Sequence, residues 1–172
     1  NGNKIITTGG GGMLVTNDDS VARRARHIST TAKVPHPFEF IHDEIGYNFR
    51  MPNINAAIGC AQMERLQDIL DAKSAVSNKW LNFFDSQGLK LGGSSDQAKQ
   101  NHWLINVVMA SRSERDEFIA YTNDNSVMTR PIWKLLSSLP IYKDCLADDL
   151  INSKWLEERV VCIPSGVPDG VL

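Results

Sequence analysis

Between residues 52 and 87, apolar and small residues return every three to four positions: Ile54, Ile58, Ala61, Leu66, Ile69, Ala72, Val76, Trp80, Phe83 and Phe84. This is the period of an amphipathic helix, with Pro52 suited to its first turn and Gly88 to its stop. Uninterrupted, such a helix would reach roughly 50 Å, so a kink or break is expected. An element of this length divides the chain, with residues 1–51 on one side and 89–172 on the other.

On the first side, Lys4 stands directly ahead of Ile5-Ile6-Thr7-Thr8 and glycines 9–12, after which Met13-Leu14-Val15-Thr16 continues. Two apolar runs joined by residues that accept positive φ read as a β-hairpin over 4–16 with a glycine tip. A phosphate-binding loop would carry its lysine after the glycines and open a helix, and the order here is the reverse. Taken alone, a lysine in such a position is most often a solvated surface charge. Asp18-Asp19-Ser20 offers a helix N-cap ahead of Val21, Ala22, Ala25 and Ile28, leaving Arg23, Arg24 and Arg26 on the remaining face, where a solvated role is favoured over an anion-binding one. Residues 30–45 hold two prolines and two histidines without a period and read as an ordered loop.

On the other side, residues 88–100 are rich in glycine, serine and polar residues and form the best internal boundary. Residues 103–109 read as a buried strand. Ser113 with Asp116 resembles a capping box opening a helix to about 122, and 127–130 reads as a strand that Pro131 ends. A short helix over 150–158 and a last strand over 160–163 complete an α/β pattern.

Apolar residues at 42% and charged residues at 22% are ordinary for a globular chain, and a net charge of −2 gives no electrostatic reason to expect nucleic acid. No apolar run approaches the roughly 20 residues that span a bilayer, and nothing at the N-terminus reads as a signal peptide. Cys60, Cys145 and Cys162 are too few and too widely spaced for a disulfide framework or zinc pattern, and suit a reducing cytoplasm. His27, His36, His42 and His102 make no metal-binding spacing, so no metal is expected.

Three strings carry a resemblance. Asn1-Gly2-Asn3-Lys4-Ile5-Ile6-Thr7-Thr8 with its glycines, Gly46-Tyr47-Asn48-Phe49-Arg50-Met51-Pro52, and Thr129-Arg130-Pro131-Ile132-Trp133-Lys134 stand in the order found in the DegT/DnrJ/EryC1/StrS family of nucleotide-sugar aminotransferases. The chain resembles the C-terminal part of such a fold-type I transferase. The resemblance implies a β-hairpin and long helix followed by a small α/β lobe, divided as 1–51 (end of the large cofactor-binding domain), 52–88 (connecting helix) and 89–172 (small lobe).

It further implies pyridoxal 5'-phosphate as cofactor, with Lys4 as the Schiff-base lysine and Asn48 reaching the phosphate of a partner's cofactor in a homodimer with shared active sites. Amino transfer from glutamate to a nucleotide-linked keto sugar, for surface glycan synthesis in the cytoplasm, is the implied reaction. His102, Arg130 and Trp133 fall on the substrate side, arginine suiting a diphosphate and tryptophan a sugar or base. Related dehydratases carry histidine in place of the lysine. Gly10 stands where similar members usually carry glutamate, and much of the cofactor pocket belongs to an N-terminal half absent here. The chain alone is therefore expected to be inactive. The competing reading is a non-catalytic homologue, or a fragment that only oligomerises or binds nucleotide sugar.

Overall fold

The long apolar run is helical on both sides of Arg65 and breaks there. In the computed structural model, which describes residues 1–89, 91–92 and 97–167, it forms α2 (Asn53–Glu64) and α3 (Leu66–Ser86), with Arg65 at φ −103° and ψ 6°. Neither proline nor glycine lies at the break. The break falls at the division between two compact units, Asn1–Leu66 and Gln67 onward.

In the first unit, α1 (Asp19–Ser29) is capped as the sequence suggests, the Asp18 carboxylate accepting from the N–H groups of Ser20 and Val21. The loop that follows contains a two-residue antiparallel pair, β1 (Lys33–Val34) and β2 (Ile41–His42), with Lys33 opposite His42. One face of α2 holds the chain after Lys4: the Gln62 Oε1 accepts the Thr7 N–H at 3.3 Å, and the Asn55 Nδ2 donates to the Thr8 carbonyl at 2.5 Å. Asn55, Gly59 and Gln62 recur at helical spacing, so these contacts lie along one stripe.

The expected hairpin over 4–16 does not form, and no residue of that stretch lies in a strand. Thr7 and Thr8 are tied to α2 side chains instead. Met13, Leu14 and Val15 are 89%, 63% and 84% exposed. An isolated two-stranded hairpin is marginal in water without an apolar layer to pack on, and the described residues supply none here.

The second unit is a two-layer α/β lobe. Its elements are α3, β3 (Ile105–Val108), α4 (Arg112–Asp124), β4 (Arg130–Pro131), two 3-10 turns (Leu136–Ser138 and Pro140–Tyr142), α5 (Ile151–Glu157) and β5 (Val160–Ile163). The antiparallel sheet has the order β3-β5-β4, with Val107 opposite Val161 and Arg130 opposite Cys162. All four residues of the central β5 are buried. Phe84, Ile105, Val107, Met109, Val161 and Ile163 form the core, with Val76, Trp80, Phe118 and Ile119 packed around it. Leu91 bridges Val107, so part of the expected boundary over 88–100 joins the sheet. Residues 90 and 93–96 of that boundary lie outside the described residues.

Two local expectations are corrected. The α4 cap is Ser111, whose hydroxyl accepts from the Glu114 N–H, while the Glu114 Oε2 accepts the Ala110 N–H at 2.8 Å. The capping register thus begins two residues before Ser113. The strand expected over 127–130 shortens to Arg130–Pro131 because Val127 donates to the Thr122 carbonyl and Asn123 Nδ2 donates to the Thr129 carbonyl. These bonds keep the segment at the end of α4. Pro131 itself lies in the edge strand, where a missing N–H is tolerated. No helix among the described residues is long and apolar enough to cross a membrane.

The face assignment of α3 predicts that Phe84→Ala destabilises the chain by about 3–5 kcal/mol, whereas Phe83→Ala, at a position 53% exposed, costs under about 1 kcal/mol. Urea unfolding midpoints followed by circular dichroism measure both.

Candidate active site

The last carbonyls of a helix have no partner within it. At the end of α1, two of them are taken by a returning segment: Tyr47 N–H donates to the Ile28 carbonyl at 2.7 Å and Phe49 N–H to the Ser29 carbonyl at 2.9 Å, while Thr31 N–H donates back to the Tyr47 carbonyl at 3.0 Å. Thr30 and Asn48 form a β-bridge. This close approach requires Gly46. A Cβ there would lie 2.3 Å from the Thr31 carbonyl carbon and 2.4 Å from the Ala32 nitrogen. Thr31 and Ala32 take positive φ (68° and 50°) to make the turn, and Ala32 is fully buried. Tyr47 and Phe49 stack with centroids 5.1 Å apart, which fixes the backbone on both sides of Asn48.

Asn48 lines a cleft of about 1100 Å³ together with glycines 10–12, Arg26, Arg50 and Asn55. Gly11, at φ 138°, could not carry a side chain without meeting the Met51 methyl at 2.8 Å, whereas a Cβ on Gly10 would meet nothing within 4 Å. The glutamate usual at position 10 would therefore project into open space, and its absence leaves no packing defect. Lys4 is exposed and begins the segment anchored on α2, its N–H donating to the Asn1 carbonyl at 3.2 Å. It is not among the residues lining the Asn48 cleft.

Beside the cleft, an ion-pair network closes α1 onto the loop. The Arg24 guanidinium grips both oxygens of Glu44, and His27 Nε2 lies 2.7 Å from Asp43 Oδ1. Hydrogen bonding from Arg24 holds the Glu44 carboxyl below the usual carboxylate range, and His27 does the same for Asp43. His27, Asp43 and Glu44 bring donor atoms within 4.8 Å of one another, a spacing open to a metal. Arg24 and the mutual pairing already satisfy them, and a guanidinium on Glu44 opposes a cation. The solvated face expected for Arg24 is replaced by this ion pair, and pairing across 20 residues leaves no periodic trace in the sequence.

In the second unit His102 and Trp133 line a cavity of about 740 Å³ with Trp103, Lys99 and Asn106. Trp103 and Trp133 stack at 6.0 Å. Arg130 is exposed on β4 and is not among the residues lining that cavity. A residue passed over in the sequence organises this wall. Lys73 Nζ donates to the carbonyls of Ser165 (2.7 Å), His102 and Trp103 (3.4 Å each), and burial lowers its pKa. It thereby restrains His102 in a left-handed conformation, φ 51°. A lysine on a polar helix turn gives no sequence signal for such a role. The structure thus places Lys4 and Asn48 in the first unit and His102, Arg130 and Trp133 in the second.

A mixed α/β chain with a lysine-bearing segment held on a helix, a glycine run and a fixed asparagine has the parts of a fold-type I transferase. Residues 1–168 match the DegT/DnrJ/EryC1/StrS aminotransferase family, and the chain belongs to it. Pyridoxal phosphate is the cofactor of that family. The GDP-perosamine synthase of Escherichia coli O157:H7 is 34% identical over 154 residues, covering 87% of this chain and 42% of that protein. EpsN of Bacillus subtilis (strain 168) is 31% identical over 171 residues, covering 96% and 44%. The aminotransferase TlmJ from Streptoalloteichus hindustanus shares the fold, with a TM-score of 0.81 at 23% identity over 93% of this chain and 43% of that one. The chain thus spans less than half the length of these relatives.

Two outcomes test the site. Gly46→Ala is expected to cost about 1–3 kcal/mol by overpacking against backbone, while Gly10→Ala stays within about 0.5 kcal/mol, both read from denaturant midpoints. Because their folded pKa values are depressed, Asp43 and Glu44 contribute stability above the ordinary carboxylate range and lose it as pH falls through the depressed values. Arg24→Gln should therefore move the Glu44 titration upward, toward the ordinary range, as followed by carboxyl-carbon NMR.

Proposed function

We propose that the full-length protein containing this chain is a cytoplasmic, pyridoxal-phosphate-dependent aminotransferase. It moves an amino group from an amino acid, glutamate, to a nucleotide-linked keto sugar used in surface glycan synthesis. The observation that carries the reading is the family match over 1–168 combined with a lysine at position 4 on a segment that α2 holds through Thr7 and Thr8. The GDP-perosamine synthases among the relatives support a nucleotide-linked sugar as acceptor.

The donor set suits the cofactor's chemistry. A primary amine condenses with an aldehyde, and a carboxamide donates to phosphate oxygens without adding charge. When bound, pyridoxal phosphate supplies the electron sink for breaking the bond to the α-hydrogen. Lys4 provides the attachment amine and, once released, the base that accepts and returns that proton at Nζ. Asn48, fixed between Tyr47 and Phe49, orients a phosphate group. Lys4 does not line the cleft that Asn48 lines, which fits a homodimer in which Asn48 serves the partner's site. His102 and Trp133 share one cavity wall and are proposed to hold the acceptor, with Arg130 nearby in sequence as a charge for its phosphates. The proposed division places the end of the large domain at 1–51, the connecting helix at 52–88 and the small lobe at 89–172. The chain alone, lacking the rest of the pocket, is proposed to be inactive.

Borohydride reduction of the full-length protein loaded with pyridoxal phosphate, followed by peptide mapping, is expected to place the label on Lys4. Lys4→Ala should lose the label and at least about 1000-fold in transfer rate, the scale at which removal of a covalent catalytic group acts. A label elsewhere, or a glutamate-driven transfer that survives the substitution, would refute the assignment, and an unlabelled wild-type protein would favour a non-catalytic binding role.

A further inference from the structure

The ladder between β3 and β5 ends at Ile105 opposite Ile163. It cannot continue as a full pair, because the next residue, Pro164, has no N–H to donate. Residues 102–104, entering β3, and 164–166, leaving β5, therefore carry carbonyls that the sheet no longer serves, and such groups need other partners. Side chains of α3 take them. Lys73 Nζ donates to the Ser165 carbonyl at 2.7 Å and, more weakly, to those of His102 and Trp103 at 3.4 Å. Seven residues on, and so on the same face of the helix, Trp80 Nε1 donates to the Pro164 carbonyl at 2.8 Å. The Ser165 hydroxyl closes the set by donating to the Trp103 carbonyl at 2.8 Å. An ammonium has three N–H donors and accepts nothing, so three converging carbonyls match it in number and polarity. Trp80 stacks on buried Phe84 with centroids 5.6 Å apart, which roots this clamp in the core.

The clamp stands beside a cavity without lining it. Ser74 and Ser77 of α3 line the 740 Å³ cavity, and Lys73 does not. What Lys73 holds does line it: His102 and Trp103, the latter stacked on Trp133 at 6.0 Å. His102 sits at φ 51°, a left-handed conformation that is unfavourable for a residue with a side chain. Such strain persists only where the surroundings over-determine it, and it gathers where a side chain must be aimed. The restraint here comes from the Lys73 ammonium on the carbonyls of His102 and its neighbours. An apolar side chain at position 73 would leave those carbonyls without that donor and the left-handed turn without its restraint.

We infer that Lys73 is a positioning residue for the keto-sugar acceptor: by gathering the carbonyls of Ser165, Trp103 and His102 it sets the His102 ring and the Trp103–Trp133 stack as one wall, without touching the ligand itself. The acceptor's place in this cavity rests on the aminotransferase reading; the clamp does not. The inference separates the two substrates. A residue that only aims the acceptor wall acts on acceptor capture and leaves the exchange with the amino donor alone, whereas a residue that only stabilises the lobe affects both.

The test is steady-state transfer by the full-length, cofactor-loaded protein from glutamate to GDP-, UDP- and dTDP-linked 4-keto-6-deoxyhexoses, with kcat/KM taken for each substrate. Lys73→Met keeps the stem and removes the donors. It is expected to lower kcat/KM for the acceptor about ten-fold, the scale of one charge-assisted hydrogen bond, and to leave that for glutamate unchanged. Lys73→Arg, which keeps charge and donors, should recover most of the loss, and Lys79→Met, exposed on the same helix, should change neither. Circular dichroism in the tryptophan bands gives a readout free of the chemistry. The signal that Trp133→Ala removes from the wild-type spectrum should be missing from Lys73→Met and present in Lys73→Arg. An unchanged acceptor kcat/KM in Lys73→Met, equal losses for both substrates, or a tryptophan signal that survives the substitution would overturn the inference. A wild-type protein that neither labels at Lys4 nor transfers nitrogen would refute the aminotransferase reading instead, and the tryptophan signal would still judge the clamp.

Discussion

The contact between Gly46 and the Thr31–Ala32 backbone sets the geometry of the first unit. Only hydrogen at position 46 lets the returning strand lie against the end of α1, and only there can Tyr47 and Phe49 reach the free carbonyls of Ile28 and Ser29. One steric condition therefore satisfies helix-end acceptors, forces Thr31 and Ala32 into left-handed turns, and fixes Asn48. Arg26 and Arg50 come to one wall as a consequence, because one belongs to the final helical turn and the other follows the fastened segment by a single residue.

The second unit solves a similar problem with charge. Three carbonyls, at His102, Trp103 and Ser165, converge on the Lys73 ammonium, and Trp80 Nε1 donates to the neighbouring Pro164 carbonyl at 2.8 Å. A helix that presents an apolar face to the sheet core thus also restrains the two loops beside it. The backbone strain at His102 is held by a cation whose partners are all main-chain atoms, so its geometry does not depend on any acidic side chain.

Elements whose pattern is rewarded inside this chain were legible in its sequence. The β5 run of Val160, Val161, Cys162 and Ile163 is buried throughout because it is the central strand, and α1, α5 and the helical stretch after Pro52 appear where periodicity and caps place them. The hairpin was misread because alternating apolar residues and glycines announce a strand only when a layer exists to receive it. Of the four residues expected as strand before Pro131, Val127 is held by the Thr122 carbonyl and Thr129 by the Thr122 and Asn123 side chains, a competition at the end of α4 that propensity does not express. At the site, Lys4, Asn48 and Trp133 stand out through the strings they belong to. The role of Lys73 and the Arg24–Glu44 grip arise from contacts between residues far apart in sequence, and no local pattern encodes them.

The distribution of burial bears on the proposal that this chain alone is inactive. The second unit has a core of six buried residues, whereas among the buried apolar residues described in the first unit there is Ala32 alone. Ordering some sixty residues costs backbone entropy of about 1 kcal/mol or more for each, which hydrogen bonds of modest net worth do not offset without apolar burial. Meanwhile Met13, Val15, Phe38, Phe40, Ile45, Phe49 and Ile54 are each more than 70% exposed. Apolar surface on this scale marks a face that other protein covers. Lys4 and Asn48, proposed to bind the cofactor, belong to the same unit as those exposed side chains, so the covering that would stabilise the first unit would also enclose its chemistry. That coupling supports the proposal that activity belongs to the full-length protein paired as a dimer.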